Sequence, residues 1–522
     1  MYLTQGLHRA LQQHPDKPAS LFMGRSRSFR EHGDRVARLA GALQKLGMAL
    51  CDRVAMLALN SDRYLEYQLA VPWGGGAANP CNIRWSVAEI VYSLEDSGST
   101  LLIVDDHFAA LAEPIRAKCP TIRAVIHAGD GPAPAGMHGF EALIASTAPV
   151  EDSVRHGDDL CGVYYTGGTT GFPKGVMLSH TNLWASGMSL LGEGVSPQGS
   201  VYLHAAPMFH LADFGISIPQ HLAGNTHAII PAFSPEAVLD CIVRDRVSDV
   251  LLVPTMIQML VDHPAMKSAR DLSSLKRVIY GASTISEAVL DRAMAALPGV
   301  EFFQAYGMTE LSPVATINPP WYHTAEGRKA GKLRSGGRAS FGMEVRIVDA
   351  DDVEVPRGTV GEVVVRGPNV MLGYWNKPEQ TAAALRGGWM HTGDGARMDD
   401  DGFIFVVDRM KDMIITGGEN VYSAEVENAL AQHAAVAMCA IIGIPSDEWG
   451  ESVHAVVVLK PGVEASTEAS AEALMAHCKK LIAGYKCPRS VEFREALPLS
   501  GAGKILKTTL RLPFWEGRER QV

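Results

Sequence analysis

Between Tyr164 and His180 the chain reads Tyr-Tyr-Thr-Gly-Gly-Thr-Thr-Gly-Phe-Pro-Lys-Gly-Val-Met-Leu-Ser-His, a set of residue types suited to an anion. Gly167, Gly168 and Gly171 carry no Cβ, so their backbone amides can approach a negative group closely. The hydroxyls of Thr166, Thr169 and Thr170 donate hydrogen bonds, and Lys174 supplies positive charge; the combination fits phosphate. It is not a Walker A loop, which needs Gly-Lys-Ser/Thr, because Lys174 sits between Pro173 and Gly175. Gly-Thr clusters by themselves are most often surface turns. A lysine flanked by Pro and Gly, immediately after a buried strand, tips the reading to phosphate.

Such a loop must be mounted on a rigid frame. From about residue 50 to 310, short apolar runs alternate with helical patterns. Residues 101–106, 161–166, 249–254, 277–283 and 301–307 read as buried strands. Ser234-Pro-Glu opens a helix that runs to Arg246. Strand–helix alternation implies parallel sheets covered on both faces. After residue 330 the pattern changes: 342–367 has period-two hydrophobicity punctuated by Gly, Pro and Asp, which predicts antiparallel strands and tight turns. Mixed α/β returns from about 410, with a helix near 423–432, strands at 436–443 and 453–459, and a helix near 467–483. Ser423 reads as the cap of the first of these helices.

The composition limits the function classes. With 522 residues, 47% apolar and 20% charged, the chain is ordinary for a multidomain globular protein and is not disordered. A net charge of -10 argues against a duplex-binding face. The eight cysteines form no CxxC pair, so neither a zinc site nor a disulfide framework is indicated, and a reducing compartment is expected. The N-terminal residues lack the apolar core of a signal peptide, and no stretch approaches the roughly 18 apolar residues of a spanning helix. The expected location is cytoplasmic.

The loop at 164–180 resembles the signature loop of the adenylate-forming superfamily: acyl- and aryl-CoA synthetases, peptide-synthetase adenylation domains and firefly luciferase. Further motifs follow in the family's order across essentially the whole chain. One departure is Gly167, where many members have Ser. The resemblance implies an α/β fold. Its large N-terminal domain, 1–409, would hold two doubly wound α/β subdomains plus a small β-barrel near 330–400. A smaller, mobile α+β C-terminal domain, 410–522, would pivot at a hinge near Lys411. It implies ATP, Mg²⁺ and coenzyme A. Thr166, Gly167, Gly168, Thr169, Thr170, Gly171 and Lys174 would hold the ATP phosphates. Gly281, Ala282 and Ser283 would line the adenine edge, and Tyr306, Gly307, Met308 and Thr309 complete the nucleotide pocket, Tyr306 offering an aromatic face. Glu310, with Thr166, is assigned to Mg²⁺ as a hard oxygen ligand. Asp394 in His-Thr-Gly-Asp would accept from both ribose hydroxyls, with Arg409 as the second ribose contact. Lys504, on the Gly-rich loop Pro-Leu-Ser-Gly-Ala-Gly-Lys, would reach the reacting carboxylate.

The same resemblance gives Gly417 and Gly418 to the segment that makes room for pantetheine, and Trp449, Tyr485 and Arg489 to CoA adenine and phosphates. The acyl pocket would be bounded by His210, Ala212, Asp213, Ala305, Gly307, Pro313 and Val314. Asp213 either suits a polar acyl group or points away. No Arg appears in this lining, which speaks against dicarboxylates such as malonate. The expected reaction is activation of a medium- or long-chain fatty, or bulky apolar, carboxylic acid to acyl-AMP, followed by transfer to CoA. The alternatives are an aryl- or cinnamate-type CoA ligase and a stand-alone loader for a separate carrier protein. A catalytically dead nucleotide-binding regulator is disfavoured because Glu310, Asp394, Arg409 and Lys504 are all in place, and a luciferase-like oxygenase stands further off. The expected partners are small molecules, with no nucleic acid and no transmembrane segment; a homodimer is left open.

Hydroxycinnamate ligases tend to carry Tyr where this chain has Ala212, so the pocket should be wider here. Ala212→Tyr is expected to reduce activity on long or bulky acids while sparing small ones, read from pyrophosphate release across acids of graded size. Equal loss on every acid would show that Ala212 does not line the pocket.

Overall fold

A computed structural model describes residues 1–166, 173–283, 285–409, 412–466, 469–501 and 503–516. Gly167, Gly168, Thr169, Thr170, Gly171 and Lys411 therefore lie outside the described residues. The described chain forms four sheets, three in the larger N-terminal part and one in the smaller C-terminal part.

The eight-stranded sheet has at its centre parallel strands Arg53–Leu57, Ala77–Pro80, Ser99–Val104 and Ala124–His127. Leu160–Thr166 joins Ala77–Pro80 in parallel, and Lys174–Ser179 turns back antiparallel against it. The central strands are apolar and buried on both faces, as a helix-covered parallel sheet requires. Leu160–Thr166 and Lys174–Ser179 hold Thr166 and Lys174 directly opposite each other at the mouth of the glycine-rich loop. Ser179 then caps the helix His180–Gly192 with a capping box shared with Asn182.

The nine-stranded sheet follows the same logic. Val201–His204, Asp249–Leu252, Arg277–Gly281 and Glu301–Gly307 run parallel, and Val314–Asn318 folds back antiparallel on the last. Ser234 caps the helix Pro235–Asp245 as its sequence predicts. The expected period-two region, 342–367, supplies Glu344–Val348 and Val360–Arg366, which join Met390–Met398 and Ile404–Arg409 in a four-stranded antiparallel sheet. The C-terminal part packs the helices Ser423–Ala431 and Ala471–Leu481 on a five-stranded sheet built around the hairpin Val436–Ser446 and Gly450–Leu459. One local expectation changes. Ser423 is the first helical residue, and the cap position falls on Tyr422, which makes no side-chain cap bond.

Among the described residues no helix is long and apolar enough to cross a membrane. Gly281 shows how tightly the strand ends that carry the site are fitted. It pairs with Ala305, and a Cβ at Gly281 would lie 2.1 Å from the Ala305 carbonyl oxygen. Because that obstacle is backbone, it cannot rotate away. Gly281→Ala is expected to destabilise this sheet by about 1–3 kcal/mol, the usual cost of overpacking, read as a lower apparent Tm. An unchanged Tm would mean that the strands separate without cost.

Candidate functional site

The site lies where the strand ends of the N-terminal sheets meet the loop that carries Lys504. Strand ends supply part of it, because there the backbone leaves the sheet and opens a crevice. Glu301–Gly307 delivers Tyr306 and leads into Glu310; Met390–Met398 delivers Asp394; Ile404–Arg409 ends on Arg409. Asp394 and Arg409 are paired across the ladder between their two strands. Their side chains meet as well, with Arg409 Nε 3.3 Å from Asp394 Oδ1. The Tyr306 hydroxyl donates to Asp394 Oδ2 at 2.8 Å. Asp394 is thus fixed from two sides, a geometry that pre-orients both carboxylate oxygens.

Glu310 is buried, and its Oε1 accepts the Tyr374 hydroxyl at 2.9 Å. Burial pushes its carboxyl above the usual range, while Tyr374, Arg409 and Lys174 oppose that shift. The Lys174 ammonium lies 5.0 Å over the Tyr374 ring. Tyr374 therefore ties the acidic residue and the phosphate-type lysine together. Sequence reading missed it, as it missed Asn369. Asn369 donates to the Leu311 and Val314 carbonyls at 2.7 and 2.9 Å and so holds the turn after Glu310. Both reach residues 55 or more positions away in the chain, and no local pattern marks such a tertiary contact.

Lys504 sits half-buried on a tight turn whose Ser500 amide donates to the Lys504 carbonyl at 2.7 Å. Two N-terminal residues dock that turn. Arg84 donates to the Ser500 carbonyl at 3.0 Å, and Thr255 donates to the Gly503 carbonyl at 3.2 Å. Neither was singled out by motif or spacing. The Lys504 pKa is lowered to about 8, first by burial and then by Arg409, with Asp394 and Glu310 acting in the opposite direction. The electrostatic neighbours of Lys504 are thus the three charged residues that sequence reading had grouped with it. His210 caps the helix Leu211–Ala223 by accepting from the Ala212 amide at 3.1 Å. Its pKa falls to about 4, through burial and then through Lys504, so its imidazole is neutral at pH 7.

The residues expected around the acyl group divide into two sets. Ala212, Ala305 and Val314 share one apolar cluster with Ile216, Leu251, Ile279 and Phe303. Pro313 packs on Gly215 of the His210 helix, where a Cβ would come within 2.1 Å of its ring, and Gly307 is backed by the Pro313 carbonyl. Asp213 does not face this cluster as a free carboxylate. It is fully buried and accepts from the Tyr202 hydroxyl at 3.0 Å, with His204 Nδ1 at 2.6 Å. His204 Nε2 in turn lies 2.9 Å from His227 Nδ1. A buried carboxylate must find such partners, so Asp213 is spent inside the fold and is unavailable to a polar acyl group. Of the adenine-edge residues, Gly281 ends its strand against Ala305, and Ala282 follows at positive φ (67°). Ser283 is exposed, and Met308 and Thr309 are half-buried.

The residues expected to meet CoA gather in the C-terminal part. The Arg489 guanidinium lies 4.7 Å over the Trp449 ring and donates to Thr416 Oγ1 at 2.9 Å. The Gly417 amide donates to the Trp449 carbonyl at 2.8 Å, and a Cβ at Gly417 would come 2.9 Å from the indole. Gly417 and Gly418 both adopt positive φ, 62° and 82°, which glycine alone takes without strain. Trp449 and Tyr485 are 38% and 41% exposed, large aromatic faces left open to solvent.

Thr166 and Glu310 offer a hydroxyl and a carboxylate, hard oxygen donors that fit Mg²⁺. Among the described residues no group of three or more His, Cys, Asp or Glu is placed to hold a metal ion. Most of the shell of any such ion would then come from nucleotide phosphates and water, as is usual for Mg²⁺.

Comparison with known proteins agrees with this geometry. The family model described as AMP-binding enzyme matches residues 7–375, and its C-terminal domain model matches 425–504. A feruloyl-CoA synthase of an Amycolatopsis species is 40% identical over 507 residues, covering 97% of this chain and 98% of the relative. A fatty acid–acyl-carrier-protein ligase of Streptomyces coeruleorubidus is 35% identical over 515 residues, covering 98% and 96%. The crystal structure of the anthranilate CoA ligase AuaEII in complex with anthranoyl-AMP superposes with a TM-score of 0.90 at 27% identity, covering 98% of this chain and 97% of that one. With one model spanning more than half of its length and relatives that match it nearly end to end, the chain belongs to the family of AMP-binding enzymes.

Proposed function

We propose that this chain joins an apolar, aryl-type carboxylic acid to CoA in two steps within one site, with a hydroxycinnamate as the favoured class. The chain is an acid–thiol ligase that works through an acyl-adenylate and uses ATP and CoA. The observation that carries the reading is the position of Lys504 among Asp394, Arg409 and Glu310, with His210 beside it.

A carboxylate is a poor electrophile, since its charge repels nucleophiles and oxide leaves badly. Attack of its oxygen on the α-phosphorus of ATP expels pyrophosphate and gives an acyl-AMP, in which AMP is a good leaving group. Negative charge then gathers between the acid and the α-phosphate. Lys504 supplies the opposite charge there, and Lys174 supplies it to the departing phosphates. The bracketed Asp394 accepts from the ribose hydroxyls, which fixes the α-phosphate relative to Lys504. Neutral His210 borders the acid without adding a competing charge. Thr166 and Glu310 would hold Mg²⁺, which supplies Lewis-acid neutralisation of the phosphates. In the second step the CoA thiolate attacks the acyl carbon and releases AMP.

The second step needs Lys504 to leave. In this reading the unit from 410 onward pivots near Lys411 and brings Gly417 and Gly418 to the site, their bare backbone leaving a channel for pantetheine. Trp449, Tyr485 and Arg489 then meet the CoA nucleotide. The exposed Trp449 face with a guanidinium already over it supports this assignment. The cytoplasmic location belongs to the same reading, and all eight cysteines are free thiols, as a reducing compartment allows.

The acid class is chosen on two grounds. Ala212, Ala305 and Val314 offer only apolar contact, and the 40%-identical relative is named for ferulate. A fatty acid, the first expectation from sequence, becomes the second reading, favoured by the 35%-identical relative. A panel of ferulate, p-coumarate, decanoate and palmitate decides, scored by pyrophosphate release and by product mass with CoA or a phosphopantetheinylated carrier protein as acceptor. Ferulate or p-coumarate is expected to give the highest kcat/KM and a CoA thioester. Preference for palmitate would reverse the choice of acid, and product on the carrier protein alone would exclude CoA as the acceptor.

A further inference from the structure

Asp408, the penultimate residue of the strand Ile404–Arg409, has no place in the chemistry above. It is nevertheless 9% exposed, and its Oδ2 accepts the Ser423 amide at 2.7 Å. Ser423 opens the helix Ser423–Ala431, whose cap residue Tyr422 leaves the first turn without a side-chain partner. Unpaired amides and the positive end of the helix dipole both favour a carboxylate at that point. Here the carboxylate comes from the other side of residues 410 and 411.

A second contact set surrounds the same bond. The Lys507 ammonium hydrogen-bonds Ser423 Oγ and pairs with Glu427 at 2.7 Å, within the field of Asp408 and Asp412. Lys507 begins the helix Lys507–Trp515, and Arg511 of that helix pairs with Asp412. One helix thus joins the Lys504 turn, the start of the C-terminal unit and the amide end that Asp408 caps.

The consequence follows from which partners lie on each side of the pivot, and it rests on the alternation described above. Ser423, Glu427, Lys507, Arg511 and Asp412 would turn together, so their mutual contacts survive. Asp408 stays with the larger unit, so its bond to Ser423 breaks. We propose that Asp408 is a positioning residue that latches the chain in the pose that places Lys504 in the site, by capping a helix across the hinge.

Three variants test the latch. Asp408→Ala removes the acceptor, Asp408→Asn keeps an oxygen but no charge, and Ser423→Pro removes the donor. Proline suits a first helical position, and Tyr422 (φ -91°, ψ 120°) already has the backbone that a residue before proline prefers. Two kcat/KM values are measured for each: pyrophosphate release with ferulate and ATP, and thioester formation from synthetic feruloyl-AMP and CoA. The ratio of second to first is expected to rise about fivefold in Asp408→Ala and in Ser423→Pro, the scale of one lost cap, and by less in Asp408→Asn. A wild-type enzyme active in both steps, with that ratio unchanged in Ser423→Pro, would overturn the latch while leaving the function intact. A wild-type enzyme that makes no thioester from feruloyl-AMP would overturn the function and the latch with it.

Discussion

The arrangement turns on one ammonium group, that of Lys504, held half-buried between carboxylates and a guanidinium at the meeting point of two parts of the chain. A lysine taken partly out of water loses hydration, and Arg409 nearby adds repulsion; Asp394 and Glu310 return part of that loss. The balance leaves the ammonium less stable than in water and ready to gain from further negative charge. In the proposed reaction a carboxylate and an α-phosphate would bring that charge, and free energy lost in the resting site would be recovered where charge builds, as electrostatic preorganisation requires.

The rest of the structure positions the partners of that group. Parallel sheets place Tyr306 and the start of the glycine-rich loop at strand ends, and the antiparallel sheet sets Asp394 opposite Arg409. Tyr374 contacts both Glu310 and Lys174, so the residues assigned to metal and phosphate share one anchor. Arg84 and Thr255 fix the Lys504 turn through its backbone carbonyls, and backbone contacts of this kind are indifferent to the side chains of the turn.

Much of this was legible in the sequence because local pattern and tertiary role coincide. Apolar runs at 161–166, 277–283 and 301–307 read as buried strands, and the structure forms strands there at Leu160–Thr166, Arg277–Gly281 and Glu301–Gly307, the last only half-buried towards its end. Ser234 and Pro235 marked a helix start for purely local reasons, and the structure keeps it. Where role depends on long-range register, the sequence was silent. Tyr374, Asn369 and Arg84 act through partners far away in the chain, and nothing in their neighbours marks them. Asp213 shows the opposite failure: its place beside Ala212 suggested the acyl pocket, but one residue further along a helix is about 100° further around it. It points instead at Tyr202 and His204. Ser423 was read as a cap because serine usually is one, whereas a carboxylate from another strand serves its helix.

The central claim is that Lys504 serves adenylation and not thioester formation. Rapid-quench measurement of both half-reactions in Lys504→Ala addresses it directly, with acyl-AMP formed from acid and ATP in one arm and thioester formed from synthetic acyl-AMP and CoA in the other. The account predicts that the first falls by about 10²–10³-fold, the scale of one lost electrostatic stabiliser, while the second stays close to wild type. Loss of both steps together, or of neither, would contradict it.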